Sequence, residues 1–153
     1  MMNNDVLRSL RYLLDVNDAK VVEICQLADY PVSVEQIGAY LLKDDEEGYE
    51  PCSDEVLAHF LDGLVYFKRG KDDSRPPVPH EKRLTNNTVL KKLRVAFELR
   101  DDDMHAILQA ADLPMTKAEL SALFRKPDQK NFRLCGDQVL RNFLRGLTAR
   151  ERD

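Results

Sequence analysis

The sequence lacks the patterns that would place it in a membrane, outside the cell or among the common enzyme classes. No run approaches the ~20 consecutive apolar residues that a membrane-spanning helix needs. The first residues, MMNNDVLRSLRYLL, have no basic leader followed by an uninterrupted apolar stretch, so no secretory signal is expected and the cytoplasm is the expected location. There are three cysteines, Cys25, Cys52 and Cys135, and an odd number at wide spacing is neither a disulfide framework nor a metal motif. The histidines, His59, His80 and His105, do not stand three or four residues from one another, so they form no helical metal pair. No serine sits in a nucleophile elbow, and no glycine loop could cradle a phosphate. The basic run KRGKDD at 68–73 is no substitute for such a loop. The acidic runs DDEEGYE and RDDDM lack the alternating ligands and closing glutamate of a calcium loop. No catalytic residue, metal or cofactor is therefore nominated, and a non-catalytic chain is the favoured reading. Nor does any stretch show the strict alternation of a half-buried strand.

What is present is a repeat. A shift of 83 residues lays residues 3–70 over 86–153 without a gap. NNDVLRSLR meets NNTVLKKLR, QLADYP meets QAADLP, and CSDEVLAHFLDGL meets CGDQVLRNFLRGL. Three blocks in one register imply a duplicated supersecondary unit. The chain of 153 residues, 43% hydrophobic, has material for two small cores. The expected organisation is a helical unit over 1–70, a proline-rich linker over 71–85 and a second helical unit over 86–153. Pro76, Pro77 and Pro79 disfavour regular structure in the linker and leave it extended. Its last residues, near Leu84, are expected to pack on the second unit.

Each copy reads as four short helices, giving an all-α fold. In the first copy Val6, Leu7, Leu10, Leu13 and Leu14 recur at helical spacing. Asn3 or Asn4, and Asn86 or Asn87 in the second copy, are the expected N-caps. A second helix covers about 18–28, capped by Asn17 or Asp18, with Asp101 and Asp102 in that role in the second copy. After Pro31 and Pro114 come capping boxes, Ser33 with Gln36 and Thr116 with Glu119, ahead of a short third helix. A polar loop follows, its one aromatic, Tyr49 or Phe132, folding back on the core. The last helix starts near Ser53 or Gly136. Gly63 and Gly146 inside it cost about 1 kcal/mol each relative to alanine, and their recurrence favours a close helix contact over a late kink or stop. Cys52 and Cys135 precede this helix. A thiol there could be acidified by the helix start, but a small buried apolar side chain is the favoured reading.

The copies differ in charge. Residues 3–70 hold 6 Lys/Arg against 14 Asp/Glu, a formal −8. Residues 86–153 hold 13 against 10, a formal +3. The whole chain, at a formal −4, gives no support to non-specific nucleic-acid binding, yet leaves room for a local basic face. Lys91, Lys92 and Arg94 lie on the first helix of the second copy, and Arg141 and Arg145 lie one turn apart on its last. Simple solvation of such faces competes with two functional readings, docking to a protein and contact with a phosphate backbone.

The strings NNxVLKKLRxAF, KNFRxCGDQxLRNFLRGL and FLxGLxxxKRGK resemble the YehS-like family of bacterial proteins, a tandem domain of unknown function (DUF1456). The resemblance runs through Asn86 to Arg94, Lys130 to Leu147 and Phe60 to Lys71, and covers nearly the whole chain. It implies a small two-copy helical cytoplasmic protein and supplies no activity and no catalytic residues. The expected function is a protein interaction or adaptor module, self-association as a homodimer included, with nucleic-acid binding by the second copy as the alternative. The nominated binding residues are Lys91, Lys92, Arg94, Arg141 and Arg145, with Tyr49 and Phe132 beside their loops.

Overall fold

A computed structural model describes residues 1–74 and 83–152. It contains α1 (Asn3–Leu14), α2 (Asp18–Leu27), α3 (Val34–Leu41), α4 (Asp54–Arg69), α5 (Asn86–Ala96), α6 (Asp101–Ala110), α7 (Lys117–Leu123) and α8 (Asp137–Arg152). No strand occurs among the described residues. The chain divides into two compact units, Met1–Leu84 and Thr85–Asp153. It is thus an all-α protein of two tandem four-helix units. Residues 75–82 of the expected linker lie outside the described residues. Leu84 was expected against the second unit; its amide instead donates to Asp54 Oδ2 of the first, at 3.1 Å.

Local signals set the helix starts. Asn17 Oδ1 accepts from the Lys20 amide at 2.9 Å, and Ser53 Oγ from the Val56 amide at 3.2 Å. Both capping boxes form: Ser33 and Gln36 exchange bonds of 3.1 and 2.8 Å, and Thr116 and Glu119 bonds of 3.1 and 3.0 Å. The asparagine pairs do not cap, which corrects the sequence expectation. Met2 and Thr85 hold the cap positions, with Thr85 Oγ1 accepting from the Thr88 amide at 3.2 Å. Asn3, Asn4, Asn86 and Asn87 lie inside the first turns, where their side chains are free to reach across the unit.

In each unit the second helix packs on the fourth, and the third helix packs on the second. The glycines explain how closely the second and fourth helices approach. A Cβ on Gly63 would stand 1.9 Å from the Ile24 carbonyl oxygen, and one on Gly146 would stand 2.5 Å from that of Ile107. Only hydrogen fits between these backbones. The core of the first unit is Leu7, Leu10, Ile24, Leu57, Phe60 and Leu64, all without solvent exposure. Its counterpart is Leu90, Leu93, Met104, Leu108, Leu140 and Phe143. Each such side chain contributes about 1.5–3 kcal/mol of burial. The cysteines belong to these cores. Burial pushes the Cys25 and Cys135 thiols up to about 11 and the Cys52 thiol up to about 12.

Candidate functional site

The polar loop between the third and fourth helices has no regular structure of its own, and the asparagines hold it. Asn4 Nδ2 donates to the carbonyls of Tyr40 and Glu50, both at 2.9 Å, and its Oδ1 accepts from the Cys52 amide at 2.9 Å. Asn87 repeats the pattern with Leu123, Arg133 and Cys135, again at 2.9 Å throughout. Asn3 and Asn86 donate to the Cys52 and Cys135 carbonyls and to the Asp54 and Asp137 carboxylates, at 2.7–3.1 Å. One carboxamide therefore pins both ends of the loop to the first helix. Asparagine suits the position because it both donates and accepts at this reach.

Within the loop the two backbones agree. Lys43 and Lys126 amides each donate to the side-chain oxygen three residues on, Glu46 or Gln129, at 2.8 Å. The Tyr49 and Phe132 amides each donate back to the carbonyl of that same residue, at 3.2 and 3.3 Å. The Glu50 and Arg133 amides return to Ala39 and Ala122 carbonyls, at 3.3 and 3.1 Å. On one frame sit opposite charges. The first loop carries Asp44, Asp45, Glu47 and Glu50, all exposed and without a side-chain partner among the described residues. The second carries Arg125, Lys126 and Lys130, likewise exposed and unpaired. Arg133 differs, pairing with Glu119 at 3.3 Å.

The nominated cations divide in two. Lys91 is exposed on α5, one turn beyond Asn87 and so beside the basic loop; Lys92, next to it, is half-buried. Arg141 is exposed on α8, with one 3.3 Å bond to Gln138. Arg94 is spent on the fold: it donates to the Leu99 carbonyl at 3.2 Å and to Asp101 at 2.6 Å, and lies 4.7 Å from the centre of the Phe124 ring. Arg145 donates to the Ala111 carbonyl at 2.7 Å, closing the end of α6. Tyr49 and Phe132 are both half-buried. The Tyr49 hydroxyl is buried and has no hydrogen-bond partner among the described residues.

Two hollows were not foreseen. One, of about 360 Å³, lies among α5, α6 and α7 and is lined by Arg94, Asp101, His105, Lys117 and Phe124. Its Arg94–Asp101 pair is already closed, and no group of three metal-ligating side chains occurs there or elsewhere among the described residues. The other, of about 350 Å³, lies beside the acidic loop and is lined by Met2, Arg8, Lys43, Asp44, Asp45 and Tyr49. Leu134, directly after the basic loop, is 71% exposed, more than any other large apolar side chain among the described residues. Its counterpart by the repeat is Pro51, and that contrast was the available sequence signal.

The family described as "Protein of unknown function (DUF1456)" matches residues 3–70 and again residues 86–153. The chain belongs to this DUF1456 family. It is 52% identical over 151 residues to "Uncharacterized protein YehS" of Escherichia coli (strain K12), an alignment spanning 99% of this chain and 97% of that protein. No solved structure matches the chain. The two DUF1456 matches begin on Asn3 and Asn86, the first residues of the latch. No helix among the described residues is long and apolar enough to cross a membrane.

Proposed function

We propose that this DUF1456 protein is a non-catalytic cytoplasmic interaction module, and that its second unit captures an acidic protein surface. One observation carries the reading: the side chains of Arg125, Lys126 and Lys130 have no partner among the described residues, while the same loop frame in the first unit carries acids. Lys91 and Arg141 extend the candidate face on α5 and α8, with Lys92 and Phe132 beside them. Arg94 and Arg145 support it as positioning residues, since both are committed to backbone carbonyls. Tyr49 belongs to the corresponding place on the first unit. Three buried free cysteines with raised thiol pKa are in keeping with a reducing compartment and with the absence of a nucleophile. Exposed charge of this kind steers encounter and sets partner choice more than it sets affinity.

The test is capture from native lysate at low salt, with and without nuclease. The wild-type chain is expected to retain a stoichiometric protein after nuclease treatment. A Lys91→Glu, Lys126→Glu, Lys130→Glu variant with unchanged melting is expected to lose it. Equal retention by the folded variant would defeat the proposal. Retention of nucleic acid with a steep salt dependence would transfer the same face to a phosphate backbone. Exposed Asp101 and Asp102 at the start of α6, and Asp128 within the loop, weigh against that second reading.

A further inference from the structure

The two loops differ in shape as well as in charge. Beside the acidic loop is an open hollow of about 350 Å³, with Met2 and Tyr49 in its lining and Asp44 and Asp45 in its wall. Beside the basic loop stands Leu134, 71% exposed, next to Arg133 and close in sequence to Lys126 and Lys130. The hollow is lined by Arg8 and Lys43 as well as by Asp5, Asp44 and Asp45, and Arg8 is already paired with Asp5 at 3.2 Å, so the unpaired charge beside it is that of the acidic loop, opposite in sign to the loop that precedes Leu134. Arg133 is paired with Glu119, but Asp44, Asp45, Lys126 and Lys130 have no side-chain partner among the described residues.

We infer that the partner of the basic loop is the acidic loop of a second copy of this chain, with Leu134 seated in the hollow between Met2 and Tyr49. This rests on the reading of the second unit as a docking module and names its partner. The charges would bring the chains together and set the register, and burial of Leu134 and Met2 would slow their separation. Met2 is itself 45% exposed in the single chain, so contact would remove apolar surface from water on both sides. Each chain carries one hollow and one projection, so the contact joins unlike surfaces.

The experiment is sedimentation velocity on the full chain and on two charge-reversed variants. The wild type is expected to associate near ~0.01 M salt, where the Debye length is about 30 Å, and to be monomeric near ~1 M, where it is about 3 Å. Variant one, Lys126→Glu with Lys130→Glu, carries two acidic loops. Variant two, Asp44→Lys, Asp45→Lys with Glu47→Lys, carries two basic loops. Each alone is expected to be monomeric at low salt. Mixed in equal amounts, they restore both opposite-charge contacts, and association is expected to return. Leu134→Ser is expected to weaken association at least tenfold while leaving its salt dependence in place. All substituted side chains are exposed, and a matching circular dichroism melt establishes folding for each variant. A wild type that stays monomeric at low salt, or a mixture that stays monomeric, would overturn the inference. If the wild type is monomeric yet still captures another protein through Lys91, Lys126 and Lys130, the inference falls and the docking reading stands.

Discussion

The first and second units share one backbone plan but fasten it in different ways. In both, an asparagine on the first helix holds the loop by three bonds to main-chain atoms. Elsewhere the fastenings have drifted. Where the fourth helix meets the end of the second, the first unit stacks His59 on Tyr30 with ring centres 4.2 Å apart. The second unit has Asn142 and Leu113 at those positions, and Asn142 and Arg145 both donate to the Ala111 carbonyl, at 3.1 and 2.7 Å. At the end of the third helix, Arg8 donates to the Leu41 and Leu42 carbonyls at 3.4 and 2.8 Å. Its counterpart, Lys91, projects to solvent. The difference teaches which interactions are replaceable. This loop takes two donated bonds and gives one at a single point, and a carboxamide, with two N–H donors and an oxygen, supplies all three. Two packed helices can be fastened by a stack, an amide or a guanidinium.

The sharpest break of the comparison is at the glycines. Gly63→Ala is expected to destabilise the first unit by about 3 kcal/mol or more, because its Cβ would meet the Ile24 backbone. Gly146→Ala is expected to cost the second unit less, about 1–3 kcal/mol, since its nearest approach is longer. Denaturant melts of both variants would rank them, and equal costs would contradict the observed spacing.

Next comes the latch. Asn4→Ala removes three bonds at a side chain 2% exposed and leaves main-chain groups unpaired, an expected loss of about 2–4 kcal/mol. Asn87 is less buried, so its alanine variant is expected to lose less. Hydrogen exchange at Cys52 and Cys135 amides would report each latch separately; unaltered protection in either variant would show that the carboxamide does not hold the loop.

Acid should sharpen the comparison further. The Asn3 carboxamide and the Leu84 amide hold the Asp54 carboxyl below its ordinary value. A depressed folded pKa gives stability that is present above the unfolded value, about 3.9, and is lost as pH falls through the folded one. Asp54→Asn is therefore expected to flatten the loss of stability of the first unit below about pH 4. Melting temperatures measured across pH 2–6 would check it, and an unchanged slope would remove Asp54 from the account.

The smallest expected effect is at the loop aromatic. Tyr49→Phe brings the first unit to the residue of the second and removes a buried hydroxyl that has no partner among the described residues. A gain of about 1 kcal/mol is expected in a thermal melt of the isolated variant at high salt. A loss would mean that the hydroxyl has a role in the folded chain.

The residues explain how far the fold was legible. Both capping boxes, the Asn17 and Ser53 caps and the glycine contacts could be read, because each leaves a local spacing or a recurrent costly residue. Asn3 and Asn4 were misread as caps because asparagine before an apolar stripe is the usual cap pattern, while their true partners lie 36 to 51 residues away. The nominated arginines were chosen by charge alone. Charge does not tell Arg94, folded onto Leu99 and Phe124, from Lys91, which meets solvent.

By itself, then, the sequence determined the duplication, the helix boundaries, the buried thiols and the opposite charge of the two copies. These depend on bonds within about four residues or on composition, and such bonds form the same way wherever the helix lies. The tertiary structure alone decided that paired asparagines latch a loop, that two arginines close helix ends, and that Leu134 is left exposed beside one loop while a hollow opens beside the other. Those outcomes depend on which distant main-chain atoms the folded chain brings within three ångströms of a side chain.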